Sequence, residues 1–146
     1  MAIFDVLFEF SDDQAITADA QSTDVLDWGS GMEGLEMGAG TPIYLNIQVG
    51  TAFSGGTSLE CSLYSHSAAT SIESGTLLWQ SADIAQANLT AGAWITRIAL
   101  PVDADKARYL GVYYNDTGAF SGGTINAWLD HGPQSSFDTQ VATSNI

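Results

Sequence analysis

The sequence uses one six-residue phrase twice. Ala52-Phe53-Ser54-Gly55-Gly56-Thr57 returns unchanged as Ala119-Phe120-Ser121-Gly122-Gly123-Thr124. Each copy follows an apolar run that opens Tyr-Leu, at Tyr44-Leu45 and at Tyr109-Leu110. Each precedes an alternating run, Leu59 to Tyr64 and Ile125 to Asp130. Alternation at period two marks a half-buried strand, and Gly-Gly gives the backbone freedom for a tight turn. Strand, glycine loop, strand, used twice, predicts two similar hairpin-like halves over residues 44–65 and 109–130. The residues leave open whether this is a duplication or one turn idiom used twice; the strand reading is the same either way. Phe53 and Phe120 are large apolar side chains at loop positions. They are expected to tuck under the sandwich edge or into a neighbouring subunit, and to touch no substrate.

The rest of the chain punctuates in the same way. Ile3 to Phe10 places Phe4, Val6, Phe8 and Phe10 on one face of a strand or arm, with Asp5 and Glu9 opposite. Residues 11–23 are polar and aperiodic, 24–28 form a short strand with Leu26 and Trp28 on one side, and 29–40 are glycine-rich and irregular. Leu45, Ile47 and Val49 alternate with polar neighbours, as do Leu59, Cys61 and Leu63. Residues 65–75 read as a Ser- and Ala-rich loop, 76–80 as a strand, and 83–87 as one weak helical turn. Residues 94–100 form a strand that Pro101 ends, because proline cannot donate to a sheet ladder. Residues 103–108 are a charged turn, and Leu110, Val112 and Tyr114 face one way from the next strand. The expected fold is all-β, a β-sandwich of jelly-roll type with about eight strands and little or no helix. It is one domain over 1–146, with an N-terminal strand or arm in 1–22 and a tail in 131–146.

Charge narrows the partners. The chain carries 17 acidic residues against three basic ones, Arg97, Lys106 and Arg108, for a net charge of −14. Phosphate affinity comes from Lys and Arg, so nucleic acid is excluded as a partner and anionic membrane disfavoured. No run approaches the length of a membrane helix. The N-terminus carries Asp5 and Glu9 where a secretory signal has basic residues, so a soluble protein made inside a cell is expected.

No constellation of reactive residues stands out, and no enzyme is expected. Cys61 alternates with Leu59 and Leu63 on a core face and reads as a buried, inert thiol. His66 and His131 sit in loop contexts without a nucleophile elbow. Neither matches a cupin-like metal pattern, and no cofactor is implied. Asp24, Asp27, Glu33 and Glu36 cluster in a glycine-rich stretch that could hold calcium, although EF-hand spacing is missing. Tyr44, Tyr64, Tyr113 and Trp128 occupy outward positions. They suit either a sugar-stacking platform or subunit contacts, where aromatics are also enriched.

The N-terminal third adds a resemblance. Ala2-Ile-Phe-Asp5, Ser11-Asp-Asp-Gln-Ala-Ile-Thr17, Ser22-Thr-Asp-Val-Leu-Asp-Trp-Gly29 and Pro42-Ile-Tyr-Leu45 resemble the capsid cement (decoration) proteins of tailed bacteriophages, with a Bordetella podophage protein as type. Trp79-Gln80, Leu89-Thr-Ala-Gly92 and Tyr109-Leu-Gly-Val-Tyr-Tyr114 continue it along nearly the whole chain. The resemblance implies a jelly-roll subunit, a homotrimer on the capsid exterior bridging major capsid protein subunits, assembly in the host cytoplasm and no catalytic residues. Phe4, Phe8, Phe10, Phe53, Phe120 and Trp128 are the interface residues expected here. A carbohydrate-binding β-sandwich module is the alternative function.

Overall fold

Twelve antiparallel strands and three 3-10 turns account for the regular structure of the described residues, 6–31, 40–101 and 106–131, in the computed structural model. In chain order the strands are β1 (Glu9–Ala15), β2 (Ala20–Gln21), β3 (Leu26–Asp27), β4 (Tyr44–Val49), β5 (Ser54–Gly55) and β6 (Ser58–His66). The second half supplies β7 (Thr76–Gln80), β8 (Ile84–Ala85), β9 (Trp94–Ala99), β10 (Tyr109–Thr117), β11 (Phe120–Gly122) and β12 (Thr124–Asp130).

One sheet runs β1-β12-β4-β9. In the other, β2 and β3 flank one side of β10, β6 follows, and β7 and β8 close the far side. The chain passes repeatedly between the layers, so neighbours such as β1 and β12 come from distant parts of the sequence. This is the jelly-roll order, and the predicted all-β sandwich is what the chain builds.

The alternating runs explain the core. Leu45, Ile47 and Val49 point inward from β4, and Ile125, Ala127 and Leu129 from β12. They meet Leu59, Cys61 and Leu63 of β6 and Leu110, Val112 and Tyr114 of β10. Each large aliphatic side chain withdrawn from water contributes about 1.5–3 kcal/mol. Asn46, Gln48, Ser62 and Tyr113 take the opposite parity and lie on the outer faces.

Three expectations need correction. First, Val6–Phe8 is a 3-10 turn with Val6 exposed, and strand structure starts only at Glu9. It continues through residues that looked aperiodic because polar groups hold its inward positions. The Tyr114 hydroxyl and Ser11 Oγ share a buried 2.8 Å hydrogen bond, and Ser11 Oγ donates to Gln14 Oε1 at 2.7 Å. A hydroxyl has one proton, so Tyr114 must be the donor to Ser11. Gln14 then donates to the Gln21 carbonyl and accepts from the Thr23 amide, lashing β1 to the next layer. Two register shifts against β12, with Asp13 at φ 43, break the period further.

Second, neither glycine loop closes a hairpin. The first carries the chain from β4 in one sheet to β6 in the other, and the second returns it from β10 to β12. Third, the turn near 83–87 is β8 followed by a 3-10 turn at Gln86–Asn88.

Candidate interaction surface

The two copies of the repeated phrase pack on each other. β5 and β11 pair as a two-stranded sheet at one end of the sandwich. The Phe53 and Phe120 rings meet edge to face, 4.8 Å between centroids, and both are buried. The contact is reciprocal. A Cβ on Gly56 would lie 2.5 Å from the Phe120 ring, and one on Gly123 would overlap Phe53. Each phenylalanine therefore lies over the second glycine of the other copy, which is why those glycines have no side chain. Ser54 Oγ and Ser121 Oγ are 3.1 Å apart, extending the pseudo-twofold arrangement. The glycine loops are thus a structural clasp, and both phenylalanines are used inside the subunit.

The other expected interface residues divide. Phe10 is in the core, and Phe8 is half-buried against it. Phe4 lies outside the described residues. Trp128 is 7% exposed, on the outer face of the four-stranded sheet. Its ring is 5.7 Å from that of Trp94, and its Nε1 donates to Asp130 Oδ2 at 3.1 Å. The Arg97 guanidinium stands 4.8 Å from the Trp94 centroid. Beneath them Asn46 is fully buried, donating to the Tyr44 carbonyl at 3.3 Å while its Oδ1 has no hydrogen-bond partner.

The candidate sugar platform is split between layers. Tyr44 and Trp128 lie on the outer face of one sheet, while Tyr64 and Tyr113 meet edge to face on the outside of the other, 6.5 Å apart. Beside them the 67–75 loop folds back over β10. The buried Ile72 and the half-buried Val25 would each lie 3.0 Å from a Cβ on Gly111, so glycine is what lets them seat there. Gln21 latches this strap, donating from Nε2 to the Ala69 carbonyl and accepting from the Ile72 amide.

The residues considered for chemistry are dispersed. Cys61 is fully buried, and burial raises its thiol pKa well above the ordinary range. His66 organises the strap through Ala68 and Ser74, and His131 is at the exposed end of β12. Asp27 holds Arg108 in a two-point ion pair at 2.8 and 2.9 Å, which lowers its carboxyl pKa. Glu33 and Glu36 lie outside the described residues. Among the described residues, no three His, Cys, Asp or Glu side chains come together as a metal site needs.

What remains is exposed apolar surface. Among the described residues the exposed large hydrophobic side chains are Val6 and Leu7, each at 74%, Leu77 at 45% and Trp94 at 47%. None was singled out as an interface residue from sequence. The available signal was charge: β1 carries Glu9, Asp12 and Asp13, whereas β7 and β9 have no acidic residue and β9 carries Arg97. A family model described as Bbp16 matches residues 10–129, from the start of β1 to the end of β12. No curated protein matches the chain.

Proposed function

The chain belongs to the Bbp16 family, a bacteriophage-type family, and from that premise we propose that it is a non-enzymatic cement protein of a phage head. Its subunits assemble as a homotrimer on the capsid exterior, bridge neighbouring copies of the major capsid protein and stiffen the shell. The observation that carries this reading is the family match spanning the whole sandwich from β1 to β12. The jelly-roll fold that the resemblance implied, and exposed apolar side chains at the sandwich edges, support it.

The mechanism is multivalent. Each subunit contributes one modest contact to the shell, and once one has bound, the others act at high effective concentration. Linking sites in this way raises avidity by about 10²–10⁴ without any new contact. The net charge of −14 suits a head surface that must not bind released nucleic acid. Sedimenting purified protein with heads that lack it provides the test. Saturable binding to intact heads, with greater resistance to heat or shear, is expected. Protein left in the supernatant at micromolar concentration would refute the proposal. Retention on a glycan column with no affinity for heads would favour the sugar-binding alternative.

A further inference from the structure

The two outer strands of the four-stranded sheet are built differently. β1 carries Glu9, Asp12 and Asp13 and shifts register twice against β12. Charges and bulges of this kind guard an outer strand against further pairing. β9, at the other end, has neither carboxylate nor proline between Trp94 and Ala99, and three of its six residues are β-branched. Its one register shift against β4 lies toward Trp94, away from Arg97 and Ala99.

The register fixes which groups of β9 are unpaired. The Leu100 amide donates to the Ile43 carbonyl at 2.8 Å, and successive residues of a strand turn their N–H and C=O groups to opposite sides. Thr96 and Ile98 therefore share the side that faces β4, while Arg97 and Ala99 present their amides and carbonyls outward. Arg97 is exposed, and among the described residues its guanidinium has the Trp94 ring as partner but no carboxylate.

Residues 132–146 lie outside the described residues, and their sequence matches this edge. After the turn signal Gly132-Pro133, Phe137, Thr139 and Val141 alternate with Asp138, Gln140 and Ala142, with no further glycine or proline. Asp138 is the one acidic side chain in that stretch. The starting point suits as well. Asp130 pairs with Tyr44 and Tyr44 with Ala99, so β12 and β9 finish at the same end of the sheet. From β12 to a place outside β9 is three strand spacings, about 14 Å. Residues 131–135 extend to about 20 Å, enough to cross and reverse.

We propose that residues 136–141 add to β9 of their own subunit as a fifth, antiparallel strand of this sheet, with Asp138 opposite Arg97 and Ser136 opposite Ala99. In that register the outward amides and carbonyls of Arg97 and Ala99 gain partners, and carboxylate and guanidinium meet on the outer face. Phe137 falls opposite the half-buried Ile98, on the core side. The tether holds the segment at high effective concentration, which favours its own subunit over a second copy. The added strand closes an edge that is otherwise open to pairing between copies.

Amide hydrogen exchange on the full chain tests this. Asp138→Pro removes a ladder donor and the carboxylate together. It should speed exchange at the Arg97 and Ala99 amides by about tenfold or more, while the Leu100 amide, held by Ile43, keeps its protection. Cysteine pairs give a second reading, since Cys61 is buried. Ala99→Cys with Ser136→Cys should oxidise to an intramolecular disulfide, because opposed residues with Cα atoms about 5.5 Å apart suit one. Asp12→Cys with Ser136→Cys, on the far edge, should not. Disulfide-linked dimers from the first pair would give the strand to a second copy and overturn the own-subunit assignment. Arg97 and Ala99 amides that exchange as fast in the wild type as in Asp138→Pro, or equal cross-linking in the two double variants, would overturn the added strand altogether.

Discussion

The reciprocal packing of the repeated phrase predicts that Gly123→Ala is among the most damaging single-methyl changes in the protein. Two costs combine. Gly123 has φ 136, a conformation that L residues rarely adopt, and holding alanine there costs about 1–3 kcal/mol. The added methyl also overlaps the Phe53 ring, which is buried against Phe120 and cannot move without disturbing the clasp. Overpacking a well-filled core costs about 1–3 kcal/mol. The total, roughly 2–6 kcal/mol, is large beside a typical domain stability of about 5–15 kcal/mol.

Equilibrium unfolding in urea reads this directly. With an m value of about 1–3 kcal/mol/M, the midpoint should fall by about 1 M or more at unchanged slope. Gly92→Ala is the control. Its φ is 78, but nothing lies within 4 Å of the new methyl, so only a backbone cost of about 1 kcal/mol applies. In the Gly123→Ala, Phe53→Ala double variant the clash is gone, and its cost should fall short of the sum of the singles by about 1–3 kcal/mol. Equal losses for Gly123→Ala and Gly92→Ala, or strict additivity with Phe53→Ala, would refute the clasp.

The Ser11–Tyr114 link predicts an asymmetry in the same assay. Ser11→Ala leaves the Tyr114 hydroxyl buried without an acceptor and should cost about 1–3 kcal/mol, whereas Tyr114→Phe leaves Ser11 still bound to Gln14 and should cost about 1 kcal/mol. Native Cys61 should be inert to a water-soluble thiol reagent at mildly alkaline pH and react only at the rate of unfolding, because burial both hides the thiol and raises its pKa. Asp27 should titrate below the usual Asp range by NMR, since Arg108 lowers its pKa. The stability it adds is complete above the unfolded-state Asp pKa and is lost as pH falls through the lowered folded value, so Asp27→Asn should flatten the acid limb of stability.

Much of the fold was readable because two-sided strands advertise themselves. β4, β6, β10 and β12 alternate cleanly, and Pro101 directly follows the last hydrogen bond of the β9 edge, from the Leu100 amide to the Ile43 carbonyl. β1 was hidden because its inward Ser11 is satisfied by Tyr114, a partner far along the chain that no local pattern reveals. The glycine loops misled in one respect. A Gly-Gly turn between alternating runs resembles a hairpin, and only the sheet order shows that each instead crosses between layers. Phe53 and Phe120 looked like interface residues because isolated loop phenylalanines have no local burial partner. Their partner is the other copy of the phrase. The edge residues Val6, Leu7, Leu77 and Trp94 were not legible, since inward and outward apolar positions look alike until the layers are assembled.

The central claim is that this sandwich is a cement subunit on a phage head, and electron cryo-microscopy of heads with and without the protein tests it most directly. The account predicts added jelly-roll density outside the major capsid layer, grouped in threes and seated across subunit boundaries. Heads whose maps are identical with and without the protein, or density confined to the tail or the capsid interior, would contradict it.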